Sequence, residues 1–180
     1  MRLFIAINFP DEVKATVAKI RDNLKSAAGD GRFCFDETLH LTLIFLGEYD
    51  ERQMETIKTV MGKTEFRPFI IVLDRAGFFK RDDGNTWWIG LKENSSLSAL
   101  QADLSERLKQ SGFTLETRKF TPHITLGRKI KMPVGFIPPK IKPIEFVVTS
   151  IELMKSEHIN GRLTYTPIYS KSSSISFKKS

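Results

Sequence analysis

The chain has 180 residues, 41% hydrophobic and 27% charged, which suits one soluble globular domain or two small fused lobes with a real core. A single cysteine excludes an internal disulfide framework and any multi-cysteine metal site, and fits a reducing cytoplasm. The net charge of +7 favours an anionic partner such as RNA, a nucleotide or a phosphorylated small molecule.

The opening segment, Leu3–Phe9, reads as a strand. It is too short for a signal sequence and runs straight into Pro10, Asp11 and Glu12, and no stretch has the length of a membrane span. A helix is predicted from about Asp11 to Ala28, with Val13, Val17, Ile20 and Leu24 spaced three or four apart. The turn Gly29-Asp30-Gly31 follows, then the apolar run Phe33-Cys34-Phe35, where nothing basic flanks the cysteine and packing is its expected role. A strand is expected from about His40 to Phe45, closed by Gly47, then a helix over about Asp50–Met61 and a β segment over Phe69–Phe79.

The order then starts again. A strand at Trp87–Leu91 leads into a helix over Ser96–Gln110, capped by Ser95 or Ser96, with Leu97, Leu100, Leu104 and Leu108 on one face. A loop and a strand deliver Phe120-Thr121-Pro122-His123-Ile124-Thr125-Leu126-Gly127. Strands over Glu145–Lys155 and Leu163–Tyr169 surround the hairpin dipeptide Asn160-Gly161, and the Ser- and Lys-rich stretch from Lys171 to Ser180 reads as a loose end.

Both halves thus run strand, helix, loop, then a strand bearing His-x-Thr-Leu: His40-Leu41-Thr42-Leu43 and His123-Ile124-Thr125-Leu126. The arrangement predicts an α+β, bilobal domain spanning the whole chain. Two duplicated antiparallel sheets would be related by a pseudo-two-fold, with helices on the outer faces and a shared cleft. Side chains two apart on a strand share a face, so each tetrad presents an imidazole and a hydroxyl on one side and two aliphatic anchors on the other. A lone His-x-Thr strand is ordinarily structural, but two of the three histidines carry the tetrad at matching points of a repeat.

Two imidazoles facing one another suit phosphate-ester cleavage, with one as general base and the other as general acid near neutral pH. The hydroxyls of Thr42 and Thr125 are donors for phosphoryl oxygens, and Arg128 adds a charge-assisted one. Metal binding is disfavoured, because no His-x-His, His-Glu-x-x-His or aspartate cluster is present and Thr is a poor ligand. His158 reads as a hairpin residue. Phe4, Phe45, Trp87, Trp88 and Phe120 are candidates to stack on a base, although core packing is the ordinary use of such residues.

These motifs resemble the 2H phosphoesterase superfamily, and within it the RNA 2′,3′-cyclic phosphodiesterases (the LigT-like or ThpR group, formerly 2′-5′ RNA ligases). The likeness includes Arg2–Ile7, Leu39–Glu48, Gly77-Phe78-Phe79, Trp88–Leu91 and Thr121–Arg128, with Leu153, Ser156, Gly161 and Tyr165 near the end. The resemblance implies hydrolysis of a 2′,3′-cyclic phosphate to a 2′-phosphate, without metal or other cofactor, by a cytoplasmic monomer, with ligation as the reverse step. It makes His40 the general acid and His123 the general base, with Thr42, Thr125 and Arg128 holding the phosphate. Two other readings stand beside it: a basic RNA-binding module without essential catalysis, and a phosphodiesterase for another substrate such as ADP-ribose cyclic phosphate.

Overall fold

The computed structural model describes residues 1–174. Among these residues, nine strands and three helices are laid out in the order β1 (Arg2–Ile7), α1 (Asp11–Ala27), β2 (Asp30–Phe33), β3 (Leu41–Glu48), α2 (Glu51–Lys63), β4 (Phe69–Phe79), β5 (Asn85–Leu91), α3 (Ser95–Gln110), β6 (His123–Lys131), β7 (Lys140–Val148), β8 (Ser150–Ile159) and β9 (Arg162–Ser172). A short 3-10 turn at Asp36–Thr38 leads into β3.

The strands form two antiparallel sheets, ordered β3-β1-β8-β9 and β2-β6-β5-β4-β7. The orders correspond: each tetrad strand, β3 or β6, lies beside the leading strand of its own repeat, β1 or β5. The expected α+β fold of two duplicated antiparallel sheets is therefore present, but the lobes are not the two halves of the chain. β8 and β9, from the C-terminal end, complete the sheet begun by β1 and β3.

The repeat's apolar positions explain the layering. Leu3, Ile5 and Ile7 of β1 enter a large core with Val13, Val17 and Leu24 of α1 and with Ile57 and Met61 of α2. The leucines of α3 join them, as do Ile71, Leu73, Trp87, Ile89, Ile124 and Leu126 of the second sheet. The intervening residues of β1, Phe4 and Ala6, face the other way and form a separate small cluster with Met154 and Tyr165. Each sheet thus has a core face and a second face, and the second faces carry the polar members of the tetrads.

Several boundaries differ from the sequence reading, each for a local reason. Asp30-Gly31 belongs to β2, an edge strand paired to β6, rather than to a turn. The strand expected over Glu145–Lys155 is two strands in different sheets, parting at Thr149. Buried positions switch there from even (Phe146, Val148) to odd (Ile151, Leu153), so no single pleat accommodates both. Asn94, not Ser95 or Ser96, caps α3 by accepting from the Leu97 amide at 2.9 Å. Lys171 and Ser172, read as part of the loose end, are paired in β9, while residues 175–180 lie outside the described residues. The Asn160-Gly161 turn forms as expected, with φ of 51° and 75°, both in the left-handed region that this dipeptide tolerates.

Candidate active site

The two histidines are mounted alike. His40 stands immediately before β3, which begins one residue later than expected, and His123 is the first residue of β6. His40 Nδ1 lies 2.7 Å from the Thr38 carbonyl oxygen, and His123 Nδ1 lies 2.6 Å from that of Thr121. A carbonyl only accepts, so both imidazoles donate from Nδ1 to the residue two before them. That fixes one tautomer when the rings are neutral and leaves each Nε2 for chemistry. The Thr38 carbonyl is itself held by the 3-10 turn, where the Thr38 amide and hydroxyl donate to the Phe35 carbonyl at 3.0 and 2.8 Å.

Alternation places the rest of the tetrads as expected. Leu41, Leu43, Ile124 and Leu126 are buried, whereas Thr42 and Thr125 are partly exposed. His40 Nε2 lies 2.9 Å from the Thr42 hydroxyl. By strand register Thr42 shares a face with Ala6, and Thr125 one with Trp88.

Arg128 reaches the site through an irregularity that the sequence did not announce. In a regular strand it would share the buried face of Leu126. Trp87 is paired with Gly127 but Trp88 with Thr125, so Leu126 is an extra residue in the ladder. That bulge returns Arg128 to the face of His123 and Thr125. Its charge acts on both imidazoles, and on Cys34 and Tyr165. Directly across the β2–β6 pair stands Arg32, which the sequence reading passed over. Like charges opposite one another are unfavourable in a sheet, an arrangement suited to an anion.

Burial lowers the pKa of both histidines below the ordinary 6.5. For His40 the backbone hydrogen bond to Thr38 works in the opposite direction, and the charges of Arg128, His123 and Lys14 add to the lowering. The bond to Thr121 likewise opposes the lowering at His123, and Arg128 reinforces it. Burial raises the Cys34 thiol's pKa, consistent with packing rather than nucleophilic chemistry.

Aromatic rings frame each imidazole. Phe4 and Tyr165 lie 4.9 and 5.1 Å from the His40 ring, centroid to centroid. Phe79 lies 5.1 Å from His123, and Trp88 lies 6.5 Å from it. Tyr165 and Phe79 were not among the aromatic candidates, although their alternation along β9 and β4 was available as a signal. Of those candidates, Trp87 is only 1% exposed in the core and Phe120 packs against the same core. Phe45 shares the face of Phe4 and is 38% exposed, with the Arg2 guanidinium 5.1 Å from its centroid. His158 is an exposed residue of the β8–β9 hairpin, as expected.

Trp88 has its place because Gly77 has no side chain. A Cβ there would fall 2.5 Å from the indole Cη2 and 2.7 Å from Cζ2. Gly77→Ala is therefore expected to push the indole toward Phe79 and His123 and to destabilise the fold by ~1–3 kcal/mol, the usual scale of overpacking. Thermal melting measures that loss, and an unchanged midpoint would count against this packing.

Among the described residues, no group of three or more His, Cys, Asp or Glu is placed to hold a metal ion, and no helix is long and apolar enough to cross a membrane.

Comparison with known proteins extends these observations. A protein of Thermotoga maritima named RNA 2′,3′-cyclic phosphodiesterase is 33% identical, the match covering 94% of this chain and 91% of that one. An Escherichia coli protein of the same name is 32% identical, covering 93% of each. The crystal structure of E. coli LigT complexed with 3′-AMP superposes with a TM-score of 0.85 at 31% identity, over 97% of this chain and 98% of that one. E. coli LigT complexed with phosphate gives 0.80 at 29% identity, with the same coverage. The model of the 2′-5′ RNA ligase superfamily matches residues 9–160, and with the paired histidine strands already in place it follows that the chain belongs to that family.

Proposed function

We propose that the protein is an RNA 2′,3′-cyclic phosphodiesterase that opens the cyclic phosphate at an RNA end and leaves a 2′-phosphate. The observation that carries this reading is the matched mounting of two imidazoles, each held at Nδ1 by a carbonyl, with Arg128 acting electrostatically on both. The relatives named RNA 2′,3′-cyclic phosphodiesterase support the substrate class.

In this mechanism His123 Nε2 takes a proton from water as its oxygen forms the new bond to phosphorus. The bond to the ribose 3′ oxygen breaks on the opposite side, and His40 Nε2 protonates that oxygen as it leaves. Thr42, Thr125 and Arg128 donate to the non-bridging oxygens, whose charge is spread in the transition state. Thr42 exchanges its present contact with His40 for one to phosphate. Proton transfer and fixed donors supply the catalysis, and none of these steps calls on a metal ion.

The test is turnover of adenosine 2′,3′-cyclic phosphate in excess EDTA, with the product isomer identified by phosphorus NMR. Adenosine 2′-phosphate is the expected product. A 3′-phosphate product, or no turnover, would defeat the assignment.

The lowered histidine pKa values also fix a pH dependence. The base must be neutral and the acid protonated in the free enzyme. Since His40 is held below 6.5, its protonated fraction is lost as pH rises through that lowered value. kcat/KM is therefore expected to peak on the acid side of 6.5 and then fall toward neutrality, about tenfold per pH unit. The bound phosphate anion favours protonated His40, so kcat itself should hold to higher pH. Coincident profiles for kcat and kcat/KM would contradict this account.

A further inference from the structure

Next to the turn that anchors His40 lies a recess of about 330 Å³ that the proposed reaction does not use. Its lining includes Arg21, Lys25, Cys34, Phe35, Glu37 and Arg162. Phe35 is the unusual member: an aromatic side chain 47% exposed at the entrance to the 3-10 turn. The Arg162 guanidinium, from the start of β9, sits 4.2 Å from its ring centroid and also pairs with Glu37. A planar cation laid on an exposed ring makes a π-surface of the kind that receives nucleobases, because bases stack on aromatic side chains and on Arg guanidinium planes alike.

The recess adjoins the chemistry. The Phe35 carbonyl anchors Thr38, whose own carbonyl holds His40 Nδ1. Cys34, which lines the recess, feels the charge of Arg128. The floor is rigid: the nearly buried Arg21 donates to the Cys34 carbonyl at 2.7 Å and to Asp22 and Asp36. Glu37 and Lys25 bring an acceptor and a donor to the rim, suited to the polar edge of a base. The Arg162–Glu37 pair already straps the hairpin to the turn, so tethering alone does not account for an exposed ring beneath the guanidinium.

We propose that Phe35 and Arg162 form a nucleobase subsite that stacks on a base of the RNA end whose cyclic phosphate lies at His40 and His123. This deepens the phosphodiesterase reading and rests on it for the phosphate's position. The subsite supplies binding and not bond cleavage, and it makes a nucleotide a better ligand than phosphate alone.

The test is calorimetric binding of two probes, adenosine 2′-phosphate and inorganic phosphate, to the full chain. Phe35→Ala and Arg162→Ala should each weaken the nucleotide by about 5- to 100-fold, the range for removing a base-stacking partner, and leave phosphate unchanged. Phe35→Trp should restore nucleotide affinity, which a merely structural role would not predict. Unchanged nucleotide affinity in both alanine variants overturns the subsite. So does an equal loss for both probes, which would show that the turn had moved the histidines instead. Failure of the wild-type protein to bind either probe would overturn the phosphate site and the subsite with it, so the two failures are distinguishable.

Discussion

Replacing His40 or His123 by alanine is expected to reduce turnover of a 2′,3′-cyclic nucleotide by ~10² to 10⁴, the range of general acid–base catalysis. Each ring is held through Nδ1 and framed by aromatic side chains, so in the proposed mechanism alanine removes a positioned proton carrier. The two losses should not add. Base and acid serve one displacement, and residues that act as a unit are strongly non-additive, so the double variant should fall close to the worse single one. Stopped assays on the three proteins, each checked for folding by circular dichroism, measure this. Near-wild-type activity in both single variants would sink the acid–base mechanism and favour the RNA-binding module, whose salt-dependent binding survives loss of the histidines.

Arg128→Ala carries the second large effect, a fall of ~10²- to 10³-fold in kcat, as for deletion of a donor aimed at developing charge. The bulge at Leu126 explains why this guanidinium, despite its place in the sequence, shares the histidine face. Arg128→Lys should recover only part of the loss, because an ammonium keeps the charge but not the planar fork that pairs with two oxygens. A second consequence falls on the pH profile. Arg128 lowers the pKa of both imidazoles, so its removal should move the acid limb of the kcat/KM profile upward. A profile unchanged in position along the pH axis would show that Arg128 does not act on the histidines.

The periodicity of the sequence was sufficient for the helices, the tetrad strands and the duplication, because those depend on local spacing of apolar groups. What it hid was non-local. The exchange of β8 and β9 into the first sheet is set by which strand edge is left open after β1 and β3 pair, and no window of sequence contains that fact. The shift of burial parity between Val148 and Ile151 was legible and would have split the long strand. The Nδ1 anchors were illegible, since they use backbone carbonyls, which every residue possesses. Tyr165 shows the same limit: it lies 125 residues from His40 in the chain and edge-on to its ring in the fold.

The interleaving of the strands also bears on how the molecule is made. β1 is central in its sheet, flanked by β3 on one side and β8 on the other, with Arg2 opposite Ser156. On a ribosome, β1 therefore waits with one edge open until β8 has been synthesised. Closing a loop of that length comes late and slowly, because its entropy must be met before the pairing rewards it. The second sheet has no such debt to the C-terminus, since β2 and β4 through β7 all precede Thr149. The nascent protein thus holds His123 on an assembled sheet while His40 still lacks Tyr165, and the surroundings of the two imidazoles become alike only when the β8–β9 hairpin docks.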